Sequence, residues 1–228
     1  MVLIIAFLLM TLGKLITCAP QDLSGKMFTF PQKTDTAYVK ITTPNLQLGA
    51  ATVCLRFFTD ITRAYGLFSL ATPGHPDSFH FVANRYQIGS VQFAVGDVFS
   101  YFYGHSFKLN AWQSVCGTWN ANTGLTQFWH NGNPGSRRFT TTSHLTGAPF
   151  ITLGQEQDTY GGGYDLYYSF VGMISDLHMW DYVLTPDQIK NYSYKLTFPS
   201  GNVLNWAALD FQVKGRVLVE DEQKHSFK

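Results

Sequence analysis

The sequence predicts an all-β domain, a sandwich or barrel carrying one short helix. From residue 26 onward, short apolar or alternating stretches recur between turn signals, and aromatic and β-branched residues dominate them. That pattern marks the half-buried strands of sandwiches and barrels. A helix start appears in one segment, Thr185-Pro186-Asp187-Gln188. A length near 210 residues after loss of the N-terminal segment suits a single domain of this class.

The chain opens on an apolar run, Met1 to Leu12, ahead of Gly13 and Lys14, too short to span a bilayer with any margin. Residues 1–18 read as a secretory signal peptide cleaved around Thr17, Cys18 or Ala19, with a signal anchor as the alternative. No later stretch reads as a membrane span. The domain then occupies 19–219. Its candidate strands are Met27–Phe30, Ala37–Ile41, Ala51–Phe58, Tyr65–Leu70, Ser78–Val82, Gln87–Val95, Val98–Tyr103, Gln113–Asn120, Leu125–His130, Ile151–Leu153, Gly172–Trp180, Val203–Asn205 and Phe211–Val219. Asn122-Thr123-Gly124 and Asn131-Gly132-Asn133-Pro134-Gly135 read as hairpin turns, because Asn and Gly tolerate positive φ.

The helix is expected over about 186–192. Thr185 is the N-cap, Pro186 the first helical residue, Asp187 the first-turn acid and Gln188 the closing member of a capping box. Phe198-Pro199-Ser200-Gly201 then returns the chain to an extended state. The sequon Asn191-Tyr192-Ser193 overlaps the helix, and a glycan on Asn191 requires an exposed helix end. Residues 220–228 are polar and aperiodic, a frayed tail.

Three cysteines occur, Cys18, Cys54 and Cys116. If processing removes Cys18, the other two remain in strand-like surroundings, and an oxidising compartment makes one disulfide the default over two buried thiols. Cleavage before Cys18 leaves a spare thiol able to crosslink subunits. Without Lys14 the chain carries 15 basic and 15 acidic residues, and Arg137-Arg138 is its longest basic run. No nucleic-acid partner is expected.

Glu156 is the first glutamate, followed only by Glu220 and Glu222. On an extended backbone Glu156 and Asp158 project to one face, where they repel unless a cation lies between them. Gln157 turns its side chain away and offers its carbonyl, and Gly161-Gly162-Gly163 lets Asp165 fold back over the pair. Calcium takes about 6–8 such oxygens. The alternative is a turn of solvated acids. No His or Cys lies in this stretch and the seven histidines show no zinc-ligand spacing, so softer metals find no support. The five tryptophans sit in strand-like surroundings and read as core.

Lys26-Met27-Phe28-Thr29-Phe30-Pro31, Val53-Cys54-Leu55, Leu153-Gly154-Gln155-Glu156-Gln157-Asp158 with Gly161-Gly162, Met179-Trp180-Asp181 and Asn202-Val203-Leu204-Asn205-Trp206 together resemble the short pentraxin family over essentially the whole mature chain. The family's cysteine signature is met at Cys116, Thr118 and Trp119 but not at Ser114 or Ala121. The resemblance implies a jelly-roll β-sandwich of two antiparallel sheets and a Cys54–Cys116 disulfide. It makes Glu156 and Asp158 ligands shared by two calcium ions, Gln157 a carbonyl ligand, Asp165 a ligand of the second ion and Asp77 a ligand from an earlier loop. The family's glutamine three residues beyond Asp165 is Tyr168 here, a poor ligand, so one calcium is expected and the second weakened.

The implied protein is secreted, non-enzymatic and lectin-like. It acts in innate immunity and the acute phase as a homo-oligomeric ring, commonly of five, binding phosphocholine, phosphoethanolamine or polysaccharide on microbial or damaged-cell surfaces, with complement components as possible partners. The aromatic and the acid of the family's phosphocholine pocket are not identifiable around Phe79–Val82 and Ala94–Phe99, so the ligand-binding residues stay unassigned. Two other readings compete. One is a jelly-roll glycoside hydrolase, disfavoured because Gly161 occupies the third position of Glu-x-Asp-x-x-Glu; the other is a calcium-stabilised adhesion domain.

Overall fold

The computed structural model describes residues 19–223. The expected signal peptide, Cys18 and residues 224–228 of the expected tail lie outside the described residues. In chain order the strands are β1 (Lys26–Phe30), β2 (Tyr38–Ile41), β3 (Leu46–Leu48), β4 (Ala50–Phe58), β5 (Tyr65–Thr72), β6 (His75–Ala83), β7 (Val91–Val95), β8 (Val98–Phe102), β9 (Gln113–Asn120), β10 (Leu125–His130), β11 (Asn133–Phe139), β12 (Leu145–Gly147), β13 (Phe150–Leu153), β14 (Gly172–Trp180), β15 (Phe211–Lys214) and β16 (Leu218–Asp221). The helix α1 is Pro186–Ser193. Among the described residues no helix is long and apolar enough to cross a membrane.

Two seven-stranded antiparallel sheets, β11-β10-β9-β4-β14-β1-β16 and β15-β2-β13-β5-β6-β7-β8, make a jelly-roll sandwich, with β12 and β3 as a small separate pair. Alternation decides which residues meet between the sheets. From the second sheet Phe68, Phe79, Phe81 and Phe93 point inward, and Val53, Leu55, Phe57, Phe128 and Ile174 come from the first, all fully buried. The Phe81 ring lies 4.9 Å from Phe93 in its own sheet and 5.8 Å from Phe128 across the core, both edge to face.

Cys54 and Cys116 stand directly opposite on β4 and β9 and form the disulfide. They lie on the outer face of that sheet, packed with Trp129, Trp180, Leu184, Ile189 and Tyr192. The last two are the buried residues of α1. The capping box forms, with Gln188 N–H donating to Thr185 Oγ1 at 3.3 Å and Thr185 N–H to Gln188 Oε1 at 2.8 Å. Asn191 is half-buried, its amide donating to the Thr197 carbonyl at 3.0 Å.

Several expected boundaries move. Residues 87–90 form a turn rather than the start of β7, because Asn84 and Ser90 tie it off: Asn84 N–H donates to Ser90 O at 2.7 Å and Gly89 N–H to Asn84 Oδ1 at 2.8 Å. Only Asn131 and Gly132, at φ 49° and 75°, make the hairpin turn; Pro134 and Gly135 lie in β11, where an edge strand tolerates proline. Leu204 makes an isolated bridge to Met179 instead of a strand. Phe211–Val219 is two strands in different sheets, β15 on β2 and β16 on β1. Glu220 and Asp221 belong to β16, opposite Met27 and Lys26, rather than to a frayed tail, and Glu222 accepts from Lys195 Nζ at 2.7 Å.

Candidate metal centre

On the second sheet, Thr152, Ser69 and His80 are register neighbours across β13, β5 and β6. They share the face opposite Leu70 and Phe79, and all three are fully buried. What covers this polar row is the segment that follows β13. Thr152 Oγ1 donates to Gln155 O at 3.2 Å, and Gln157 donates from N and Nε2 to Ser69 Oγ, each at 3.2 Å. Gln157 Nε2 also reaches Ser69 O at 3.1 Å and Phe150 O at 3.0 Å, while its Oε1 accepts from Gly161 N–H at 2.9 Å. Gln155 Nε2 donates to Thr34 O at 2.6 Å and Ala37 O at 3.0 Å. The amides on either side of Glu156 therefore anchor its backbone, the Gln157 side chain being engaged by Ser69, Phe150 and Gly161.

Two glycines admit this segment. Gly154 has φ 83°, and a Cβ there would sit 2.3 Å from the Phe30 ring. Under the loop, a Cβ on Gly66 of β5 would stand 2.9 Å from Glu156 N.

Glu156 is 5% exposed and its Oε2 has no hydrogen-bond partner. Burial raises its pKa, with Asp158 and Asp77 adding to the effect and His80 and Arg85 opposing it. Partial burial likewise raises Asp158, helped by Asp77 and Asp165 and opposed by Arg85 and His80. Four carboxylates thus act on one another, which is the field a cation relieves. A buried carboxylate oxygen without a partner fits a metal ligand better than a structural acid.

Asp77 and Glu156 come together with a third group, His80. One ligand atom from each lies within 4.8 Å of the others. His80 Nδ1 is 2.9 Å from Asp77 Oδ1 and 4.0 Å from Glu156 Oε1. Asp77 is itself positioned by Asp97, whose Oδ1 accepts from Asp77 N–H at 3.0 Å. Asp165 lies farther along the loop, exposed, and caps the 3-10 turn Leu166–Tyr168 by accepting from Tyr167 N–H at 2.8 Å. The Tyr168 ring carries the Arg85 guanidinium 4.2 Å from its centroid.

His80, which lies outside the stretch around Glu156, stands beside both acids. The signal was present as Asp77-x-x-His80, but a regular strand sends i and i+3 to opposite faces. Here β6 holds more residues between His75 and Phe79 than β5 holds between Thr72 and Leu70, and this irregularity brings Asp77 to the side of His80.

A model of the Pentaxin family matches residues 26–221. The chain is 37% identical over 210 residues to serum amyloid P-component of Homo sapiens, covering 89% of this chain and 90% of that one. It is 36% identical over 206 residues to C-reactive protein of Sus scrofa, covering 90% of each. The native heptameric SAP-like pentraxin from Limulus polyphemus superposes with a TM-score of 0.80 at 25% identity, over 90% of this chain and 99% of that one. A putative carbohydrate binding protein from Bacteroides ovatus shares the fold at a TM-score of 0.58 and 14% identity, over 84% of this chain and 61% of that one.

Proposed function

The chain belongs to the pentraxin family, whose members are binding proteins rather than enzymes, and from that premise we propose that it is a secreted, calcium-dependent, lectin-like recognition protein of innate immunity. The observation that carries this reading is the buried Glu156 carboxylate, whose Oε2 has no hydrogen-bond partner and which feels the charges of Asp77 and Asp158. Glu156, Asp158, Asp77 and the Gln157 carbonyl would hold the inner calcium, and Asp165 would serve the outer one. When bound, calcium supplies open coordination positions for phosphate or carboxylate oxygens of a surface ligand.

The protein's own residues do the positioning. Gln155 and Gln157 fix the backbone on either side of Glu156, and Asp97 fixes Asp77. The guanidinium of Arg85 acts on Glu156, Asp158 and Tyr168 together, and a fixed positive charge beside a phenol would be poor company for an outer ion held by Asp165. That supports a weak second site. Phe99 is 41% exposed with its ring 5.8 Å from that of His80, and it is the aromatic beside the site against which a choline cation would stack. Assembly into a ring of identical subunits, as in the heptameric relative, would turn weak single sites into avidity. Calcium titration by calorimetry counts the ions. Retention on phosphocholine or phosphoethanolamine beads in calcium, with release by chelator, supports the reading; retention indifferent to chelator overturns it.

A further inference from the structure

We propose that Asp77, His80 and Glu156 form a mixed nitrogen–oxygen site for a borderline divalent transition metal of the zinc class, one that competes with calcium for the same carboxylates. The inference rests on the calcium reading only for the shared acids; what carries it is His80.

Both ring nitrogens of His80 are buried without a hydrogen bond, and the residue is 0% exposed. A buried imidazole left in that state calls for a partner. Asp77 stands 2.9 Å from Nδ1, but their alignment makes no hydrogen bond. Calcium does not explain the imidazole, because a hard cation takes oxygen ligands, whereas imidazole suits zinc, copper, nickel and cobalt. Donors each about 2.1 Å from one zinc ion cannot lie more than roughly 4.2 Å apart; the two carboxylate contacts to Nδ1, 2.9 and 4.0 Å, meet that limit, and with all three ligand atoms within 4.8 Å of one another a small side-chain adjustment closes the set on one ion. Three protein ligands with a position left open is the arrangement zinc adopts where it also binds an exogenous group.

The site is also built rather than incidental. His80 is fixed in register between Ser69 and Ala94, with the Phe99 ring over it. The acids reach it from two different segments, β6 and the loop after β13, each held by its own hydrogen bonds. Among the described residues this is the group of three or more His, Cys, Asp or Glu side chains whose ligand atoms converge.

The test uses the full chain in calcium-free buffer with Zn2+ by calorimetry and Co2+ by visible absorption. The expected result is one Zn2+ per chain, a Co2+ spectrum of nitrogen-containing coordination, and at least tenfold weaker Zn2+ binding in His80→Leu, with calcium affinity retained. Zn2+ should also displace calcium from the parent. His80→Gln provides a second variant if the leucine disturbs folding, and on the parent alone the His80 ring resonances should shift with Zn2+. Equal Zn2+ affinity in parent and both His80 variants, or loss of binding on His75→Ala instead, overturns the proposal. Calcium binding without Zn2+ binding sinks this inference and leaves the calcium reading intact. Zn2+ binding through His80 without calcium binding does the reverse.

Discussion

Replacing Gly66 with alanine probes the packing that sets Glu156 in place. The added Cβ would lie 2.9 Å from Glu156 N, 3.0 Å from Gln155 C and 3.0 Å from Glu156 Cβ. Two of these are backbone atoms of a buried, hydrogen-bonded segment, so no flexible side-chain end can yield. Overpacking of this kind costs about 1–3 kcal/mol. Gly66 is not in the left-handed region, so alanine fits its backbone and recovers about 0.4–1 kcal/mol through the unfolded chain. The net expectation is a loss of roughly 0.5–2 kcal/mol in urea unfolding of the metal-free protein. Moving Glu156 back to its ligand position would cost a similar 1–2 kcal/mol, a factor of about 5–30 in calcium affinity. Calorimetry of Gly66→Ala beside the parent measures that factor. A variant as stable as the parent, with unchanged calcium affinity, would show that the loop does not rest on β5 as described.

Glu156→Gln should lose calcium-induced protection from proteolysis, yet in chelator at pH 7 it should be more stable than the parent, because burial and like charges make the ionised carboxylate unfavourable in the fold; equal stability in chelator would refute that account. Removing the disulfide with Cys54→Ala/Cys116→Ala releases a loop closed at a separation of 62 residues and should cost about 4 kcal/mol, read from denaturant midpoints. His178 accepts from Gly201 N–H at 3.3 Å through Nδ1, which requires the neutral ring, and burial lowers its pKa to about 4. The unfolded chain therefore binds the extra proton first, so stability falls as pH drops from about 6.5 to 4, by on the order of 3 kcal/mol. A His178→Phe variant with an undiminished pH slope would remove His178 as the cause. Tyr168→Gln should strengthen the outer calcium, seen as a second ion in the titration, and a stoichiometry fixed at one would place the limitation elsewhere, at Arg85.

Features that depend on local periodicity and backbone chemistry are legible in the order of residues alone. Short apolar or alternating stretches over Gln113–Asn120 and Leu125–His130 set the bounds of β9 and β10, and the Thr185/Gln188 capping box placed α1, because strands and caps are written in neighbouring residues. Glu156, Gln157 and Asp158 stood out for the same reason, their spacing and the glycines around them being local. What required the tertiary structure was everything set by pairing between distant segments. The split of Phe211–Val219 between two sheets and the capture of Glu220 and Asp221 by β1 follow from which edges stood open. Above all, Asp77 reaches His80 only because β6 carries an irregularity against β5, and Glu156 reaches it because the loop after β13 folds across that face. A strand's own residues say which faces alternate; which face lies under which loop is decided by the register of its neighbours.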